Sequence, residues 1–513
     1  MQQPPTPGRR GPGYHEQGGP SERGGVAHAV PTPDPRAMLA ATGLSRNGSH
    51  EAAVAEACDR CLSELRRAAE RVRGAGAPSI DAAVILVSGG LIPLAGDVAA
   101  RAHAALQPRS MIGLSTARLG HGWDELVNAP AVCVLALSAP GVSVTTFGAG
   151  DLFEQGPGDA ERPSDARAGL GTSLADAMGL GPAQRLTLVL ASHDTDERAL
   201  AARLSLAAHQ AARLGPGGGP IIAASAPSLS DERTGVIVGP RLLRRGVAGL
   251  TLSGPIRADA LIAQGCRPIG RVGVVTSAKG EAVLGISGEP ALDVLHQAVA
   301  QLAGHERRLL ASGVLLGVVA DEYRERFGPG DYHLSALLGV DPASGALLVD
   351  PPPRVGQTVR LHVPDGLAAE RDLQLLMDGQ ALHGEPAAAL LLSGGLRGPE
   401  LFGRPGVDNG AVLRAFSGGT PGESLARGGT HIAPREGFPL VGAGVGGLIA
   451  APGGADHTTA QARVHNTLPR CSSSAAAKRA RALSASAPGR APRTGSPSAP
   501  QGPSARRRAA ARC

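Results

Sequence analysis

Aromatic residues are scarce in this sequence of 513 residues: one Trp, three Tyr and six Phe make up 2% of the chain. Lysine is almost absent as well, since 48 of the 50 basic residues are Arg. Gly and Pro, by contrast, number 73 and 42, and this bias is typical of a GC-rich genome. Because hydrophobic residues still reach 42%, we expect a core of Ala, Val and Leu in two or three domains.

Cysteine is also rare, with six residues at positions 58, 61, 133, 266, 471 and 513. Their irregular spacing argues against a disulfide framework and favours a reduced compartment. The N-terminus is polar and rich in Pro and Gly, unlike a signal peptide. No apolar run reaches the ~18 residues that a membrane span needs. The sequence therefore predicts a cytoplasmic protein with no membrane partner.

Acidic residues are missing from the C-terminal tail. Residues 457–513 hold 11 Lys and Arg and no acid, whereas residues 37–456 hold 35 basic and 41 acidic residues. This balance argues against a broad nucleic-acid-binding surface on the folded part. The runs AKRARAL and ARRRAAARC fit a nuclear-localisation or RNA-contact patch, and a solvated tail equally well. We expect nucleic acid as a partner only through this tail, with the nucleus as the alternative location.

Motifs for common cofactors and catalytic groups are absent. Both Lys residues follow Ala, which excludes a P-loop, and neither HExxH nor G-x-S-x-G occurs. A GxGxxG pattern at Gly442, Gly444 and Gly447 is attributed to chance in a Gly-rich chain, because Pro452 blocks a following helix. We expect no cofactor and no catalytic residue.

Hydrophobic periodicity predicts an α/β fold built from layered mixed sheets, because strands alternate with helices and also follow one another directly. An amphipathic helix is predicted over 51–73, and buried strands over 82–88 and 131–138. A further strand is predicted over 257–264, ending abruptly at Gly265.

A CxxC pair lies at Cys58 and Cys61, a spacing that can bind zinc or perform redox chemistry. A structural zinc site needs four ligands, and no second CxxC exists in the sequence. Both residues also fall on the apolar stripe of the helix predicted over 51–73. We therefore predict two core residues and no metal site.

The loop after the strand predicted over 257–264 is the main candidate binding site. Pro268 and the glycines around it stiffen the loop, so Arg267 can present its planar guanidinium to a carboxylate or phosphate. An internal ion pair of Arg267 is the alternative. Cys266 is either structural or, with its pKa lowered by Arg267, nucleophilic. Asp341 is either a ligand contact or a turn former. The candidate ligand-binding residues are Gln264, Gly265, Cys266, Arg267, Pro268, Gly270 and Asp341.

Three runs resemble the C-terminal half of the FIST family, a two-part intracellular signal-transduction and sensory domain. They are LIAQGCRPIG at 261–270, YHLSALLGVDPASGALLVDPPPRVGQTVRLHV at 332–363 and LLLSGGLRGPELFGRPGVDNGAVL at 390–413. AAVILVSGG, MIGLST and VCVLALSAPGVSVTTF resemble the first FIST module more weakly. The family often carries Cys and Asn where this chain has Ser393 and the two glycines after it.

The resemblance implies two sequential modules, which we place at 37–245 and 246–453, between disordered ends at 1–36 and 454–513. It implies a non-enzymatic sensor of a small ligand, with an amino acid or another small carboxylate as the expected class.

Two other functions stay open. One is a protein-interaction adaptor of the substrate-recruiting ubiquitin-ligase type, although no F-box is recognised in the sequence; a signalling or ubiquitin-pathway protein would then be the partner. The other is a thiol enzyme that uses Cys266.

Overall fold

The fold is described from a computed structural model, and it confirms the predicted α/β class. The predicted disordered segment 1–36 lies outside the described residues, as does 454–513 apart from a three-residue strand. The described residues are 38–74, 78–148, 152, 173–215, 217–229, 234–328, 330–395, 397–416, 438–451 and 463–465.

The N-terminal half combines helices with single strands and with runs of consecutive strands. The long helix predicted over 51–73 is confirmed, and so are the strands at 82–88 and 131–138. The elements in chain order are β1 (Leu39–Ser45), α1 (His50–Arg73), β2 (Ala82–Ser88), a 3-10 helix (Gly89–Leu94), α2 (Ala95–Leu106), β3 (Ser110–Thr116), β4 (Arg118–His121), β5 (Asp124–Val127), β6 (Ala131–Ser138), β7 (Ser143–Gly148), α3 (Leu174–Ala177), β8 (Gln184–Ala191), α4 (Glu197–Arg213), β9 (Ile221–Ser225), β10 (Val236–Val238), β11 (Arg241–Leu243) and β12 (Val247–Ser253).

The C-terminal half also combines runs of consecutive strands with helices. Its elements in chain order are β13 (Cys266–Lys279), β14 (Ala282–Ile286), β15 (Glu289–Pro290), α5 (Ala291–Ala300), a 3-10 helix (Arg307–Ser312), β16 (Leu315–Val319), β17 (Tyr332–Asp341), β18 (Ala346–Asp350), β19 (Thr358–Pro364), α6 (Gly366–Ala381), β20 (Ala389–Gly394), α7 (Pro399–Phe402), α8 (Val407–Phe416), β21 (Leu440–Val445), β22 (Leu448–Ala451) and β23 (Arg463–His465).

Two mixed sheets pack face to face in the N-terminal half, with helices on both outer sides. The first has the order β1-β6-β2-β3-β10-β11 and is antiparallel except for β2 and β3. The second has the order β23-β22-β9-β8-β12-β7 and is antiparallel except for β8 and β9. Helices α1 and α2 cover the first sheet, and α3 and α4 cover the second. The result is a four-layer arrangement, helix–sheet–sheet–helix.

Strand β2 shows why its sequence is a continuous apolar run. Its even-numbered residues Ala82, Val84 and Leu86 face the other sheet, and Ala83, Ile85 and Val87 face the helices. Side chains alternate between the two faces of a strand, so a strand buried on both faces needs apolar residues throughout.

The C-terminal half contains a sheet that closes on itself. Its order is β13-β19-β16-β17-β18-β14-β15, and β13 also pairs with β14, so that six strands form a closed antiparallel ring. Helix α5 packs its apolar face against this ring through Val294, Leu295 and Ala298, which meet strand residues such as Leu316 and Leu361.

Strands from the end of the chain pair with strands from its beginning. β21 lies between β20 and β4, and β22 pairs with β9. β12 follows the predicted module boundary at 245/246, yet it pairs with β7 and β8. The module boundary at 245/246 stays a prediction, and strands from its two sides pair with each other in one sheet.

The strand predicted over 257–264 is wrong. Residues 254–265 form no strand, and β13 begins at Cys266, where the sequence predicts a loop. The backbone N–H of Gln264 donates to Asp372 Oδ2 at 2.9 Å instead of to a neighbouring strand. The apolar residues of this segment line a cavity, which explains why their pattern resembles that of a buried strand.

Candidate functional site

A cavity of about 390 Å³ lies where the two packed sheets meet the C-terminal elements. Leucine and valine side chains from both sheets face it, and the small sheet that contains β20 and β21 supplies another wall. This volume is within the usual range for small-molecule sites. Representative apolar lining residues are Val84, Leu135, Leu188, Leu252, Leu390 and Leu392.

The irregular segment 256–263 forms one side of the cavity. Its Asp259 accepts hydrogen bonds from Gln380 Nε2 at 2.8 Å and from Arg257 Nε at 3.1 Å. The carbonyl oxygen of Ala263 lies 3.4 Å from Arg397 Nη1. These side-chain contacts, rather than the backbone hydrogen bonds of a β-strand, hold the segment in position beside the cavity.

A buried ion pair contributes the polar part of the wall. Arg397 donates from Nε and Nη2 to the two carboxylate oxygens of Asp408, at 2.8 and 2.7 Å. Both residues line the cavity together with Ser393, whose hydroxyl lies 3.5 Å from Asp408 Oδ2. Burial alone would lower the pKa of Arg397, but the bonds to Asp408 raise it overall. The guanidinium is therefore charged, oriented and neutralised by its partner.

Arg118 on β4 fixes the backbone that carries Arg397. Its guanidinium donates to the carbonyl oxygens of Gly394, at 3.0 Å, and of Arg397. Gly398 has φ +123°, and a Cβ there would overlap Arg118 Nη1. Only a glycine tolerates both this conformation and this close approach.

Helix α8 connects the ion pair to the N-terminal half. Asn409, next to Asp408, donates from Nδ2 to the carbonyl oxygens of Gly122 and Asp124, at 3.1 and 2.9 Å. Gly122 lies in the turn between β4 and β5, and Asp124 is the first residue of β5. Two adjacent residues therefore position the cavity wall and join the two halves of the chain.

The seven residues predicted as a ligand site are not among those that line the cavity. Gly265 lies close to one lining residue: its φ is +71°, and a Cβ there would lie 2.6 Å from Arg397 Nη1. Gln264 donates from Nε2 to the carbonyl oxygen of Tyr332 at 2.5 Å. Pro268 pairs with His362 in the ladder of β13 and β19, and Gly270 has φ +59°. The prediction of a site at these residues stays a prediction.

Arg267 has internal carboxylate partners. Its Nη1 lies 2.5 Å from Glu306 Oε1, and its Nε lies 3.2 Å from Asp365 Oδ2. The hydrogen bond from Arg267 lowers the pKa of Glu306. This is the internal pairing that sequence analysis gives as the alternative to a ligand contact.

Cys266 is a poor candidate for a nucleophile. Burial, aided by the charges of Asp372 and Asp365 and opposed by Arg397, raises the pKa of its thiol to about 12. At neutral pH the reactive thiolate is therefore a negligible fraction.

Asp341 stabilises the turn between β17 and β18. Its carboxylate accepts from the backbone N–H of Ala343 at 3.1 Å and from the hydroxyl of Ser344 at 2.5 Å. The hydrogen bond from Ser344 is the main cause of the lowered pKa of Asp341. This is the turn-forming geometry expected of Asp before a turn.

Cys58 and Cys61 lie on the core-facing side of α1, as predicted, with 1% and 0% exposure. Burial raises the pKa of each thiol to about 12. Within the described ranges, no group of three or more His, Cys, Asp or Glu is placed to hold a metal ion. Among the described helices, none combines the length and apolar character of a membrane span.

A family model of the FIST N domain matches residues 81–289. This part of the chain belongs to the FIST N domain family. Members of the family are commonly sensory or signalling proteins. The match covers most strands of both packed sheets and extends beyond the predicted boundary at 245/246 into β13 and β14. The likeness of the remaining C-terminal half to the second FIST module stays a prediction.

The chain is also similar to mycobacterial proteins described as uncharacterized. Two of them, from Mycobacterium tuberculosis strains CDC 1551 and H37Rv, are 29% identical over 386 residues, which is 75% of this chain and 92% of each relative. A protein of Mycobacterium bovis is 36% identical over 182 residues, 35% of this chain and 47% of that protein.

The sequence does not single out the buried arginine of the cavity wall. Arg397 and Asp408 both lie in the run 390–413, which carries part of the FIST resemblance. The available signal was a charged pair embedded between glycines in an otherwise apolar stretch, and it is weak in a chain with 48 Arg.

Proposed function

We propose that this protein is a sensor of the FIST type that binds a small ligand in the central cavity. The observation that carries the proposal is a cavity of about 390 Å³ with apolar walls and one buried, oriented polar group. Pockets with this combination are the usual sites for small molecules, because apolar walls supply affinity and a few polar groups supply orientation.

The position of the cavity suits a sensor. Both packed sheets, segment 256–263, α6 and the small sheet contribute to its walls. A ligand there contacts elements from both halves of the chain at once. A ligand that binds the folded chain at this position stabilises the surrounding arrangement by mass action.

The test uses N-phenyl-1-naphthylamine, an apolar dye that becomes fluorescent when it leaves water. The full chain should bind the dye, and Leu135→Phe and Leu252→Phe should each weaken binding about tenfold or more, because the added ring occupies the cavity. Leu375→Phe is the matched control, since Leu375 lies on α6 and is 71% exposed. If both cavity variants bind the dye as well as the control does, the cavity is not the site.

The ligand class expected from the family resemblance, an amino acid or another small carboxylate, is a second version of this proposal. It requires an available cation, and Arg267 is paired with Glu306 and Asp365 while Arg397 is paired with Asp408. A thermal-shift screen with amino acids and small carboxylates tests it, since any ligand of the native state raises the melting temperature.

An adaptor role is the second candidate function. Leu367, Leu375 and Leu382, on or just after α6, are 73%, 71% and 87% exposed, and exposed apolar side chains can mark a protein-interaction surface. A Leu375→Gln variant separates the two functions, because it should leave dye binding intact while changing only this surface. The thiol-enzyme alternative is weakened by the raised pKa of Cys266.

A further inference from the structure

The charges that line the cavity are balanced and already paired. Among the described lining residues, four carry charge: Arg257, Asp259, Arg397 and Asp408. Arg257 Nε lies 3.1 Å from Asp259 Oδ1, and Arg397 Nη2 lies 2.7 Å from Asp408 Oδ1. Each arginine has its carboxylate within the wall, and the formal charge of the described lining sums to zero.

A charged ligand would have to disrupt this arrangement. A carboxylate could reach Arg397 only by displacing Asp408 or by lying uncompensated beside it, and an ammonium group meets the same obstacle at Asp408. Burial of an unpaired charge is far more costly than burial of a neutral hydrogen-bonding group. The cavity wall therefore disfavours anionic and cationic ligands alike.

The remaining walls indicate an aliphatic rather than a flat aromatic ligand. Phe416 is the one aromatic residue among the described lining residues, and the others are mainly Leu, Ile, Val, Met and Ala. Aromatic ligands gain additional stabilisation from aromatic side chains that pack edge to face or offset against them. Branched aliphatic walls suit a flexible chain of methylene groups.

Resting on the function proposed above, we propose that the ligand is a neutral amphiphile with an aliphatic chain and an uncharged hydroxyl-type head group. The chain lies among Leu135, Leu188 and Leu252, and the head group meets Ser393. A serine hydroxyl both donates and accepts, so Ser393 can donate towards Asp408 and accept from the ligand. The hydrogen bonds between Arg397 and Asp408 stay intact when the ligand binds.

The test compares three ligands with one chain length: decanol, decanoate and decylamine. Each is titrated at neutral pH against the full chain loaded with N-phenyl-1-naphthylamine, and displacement of the dye gives its Kd. Decanol should bind at least about tenfold more tightly than either charged analogue, because only decanol brings no unpaired charge into the wall. The proposal is overturned if decanoate or decylamine binds as tightly as decanol.

The two proposals fail in different ways. If the dye binds and the cavity-filling variants abolish binding, but decanoate equals decanol, the sensor proposal stands and the neutral-ligand inference falls. If neither the dye nor decanol binds in the cavity, with decanol also followed by its effect on the melting temperature of the full chain, both fall.

A serine variant tests the position of the head group. Ser393→Ala should weaken decanol about 2- to 10-fold, the loss expected for one neutral hydrogen bond, and should change the affinity of the dye less. An equal affinity for decanol in the variant and the wild type would contradict the placement of the head group at Ser393.

Discussion

The two halves of this chain bury similar apolar side chains but use the enclosed space differently. In the four-layer half, two sheets face each other and leave a cavity of about 390 Å³ at the end of their shared core. In the C-terminal half, the closed sheet packs residues such as Leu316, Val359 and Leu361 directly against α5. Both halves bury apolar side chains. They differ because α5 packs directly against the closed sheet, whereas the two facing sheets leave a cavity between them and the C-terminal elements.

The two arginines of interest show the same contrast. Arg397 is 5% exposed and joined to one carboxylate by two hydrogen bonds in the cavity wall. Arg267 is shared between Glu306 and Asp365, and its side chain is 32% exposed. Arg397 is therefore placed to shape a binding site, whereas Arg267 joins β13 to the segments around it.

Removal of the carboxylate beside Arg397 should have the largest effect. Asp408→Ala leaves a buried, unpaired guanidinium and should lower the free energy of unfolding by about 3–5 kcal/mol, measured by urea denaturation. The control is Asp259→Ala in the more exposed pair at the edge of the cavity, where the loss should stay below about 1 kcal/mol. Replacement of both partners, by Arg397→Met with Asp408→Leu, should recover most of the stability. Equal losses of unfolding free energy for Asp408→Ala and Asp259→Ala would show that the buried Arg397–Asp408 pair matters no more for stability than the exposed pair does.

Acid should destabilise the C-terminal half through His362 on β19. Burial lowers the pKa of His362 from 6.5 to about 4. In the unfolded chain His362 becomes protonated below about pH 6.5, whereas in the folded chain it stays neutral down to about pH 4. The free energy of unfolding therefore falls as the pH falls through this window. The loss is about 3 kcal/mol. His362→Gln should flatten the dependence of stability on pH between 6.5 and 4, and the exposed His296→Gln should retain it. Identical slopes in wild type and His362→Gln would refute the assignment.

Arg267→Ala separates an internal support from a ligand contact. Because Arg267 is paired with two carboxylates of its own chain, the variant should lower the melting temperature by about 2–4 °C and leave dye binding unchanged. The conservative Arg267→Lys variant keeps the charge and should lose less. An unchanged melting temperature together with weaker ligand binding would restore Arg267 as a site residue.

Replacement of a core-facing cysteine of α1 should have the smallest effect on stability. Cys58→Ala removes one buried sulfur from a filled layer and should cost no more than about 1 kcal/mol, measured by urea denaturation. The metal content by elemental analysis should be the same in Cys58→Ala and in the wild type. One zinc per chain that disappears in the variant would show that the pair is a metal site.

Sequence reasoning succeeded where periodicity alone decides the structure. Helix α1 and strands β2 and β6 were predicted within a residue or two, because each presents an unbroken apolar stripe or run to a packed layer. The FIST resemblance also led to the correct family for residues 81–289.

The sequence does not predict the structure where side chains face a cavity or pack against elements that are distant in the chain. The apolar residues of segment 256–263 face a cavity, and their pattern cannot be distinguished from that of a strand. β21 was not recognised as a strand because its alanine and glycines lack strand propensity; it forms between β20 and β4, from opposite ends of the chain. Arg397 and Asp408 meet only after the chain has folded, so no local pattern in the sequence indicates the pair.

Occupation of the inter-sheet cavity by a neutral aliphatic ligand can be observed in a crystal. A crystal of the full chain soaked with bromodecanol tests it directly, because the anomalous signal of bromine locates the chain end. We expect a bromine peak among Leu135, Leu188 and Leu252, with density for the hydroxyl head group beside Ser393. A bromine peak beside Arg267 or on the exposed face of α6 at Leu375, with the cavity left empty, would contradict it.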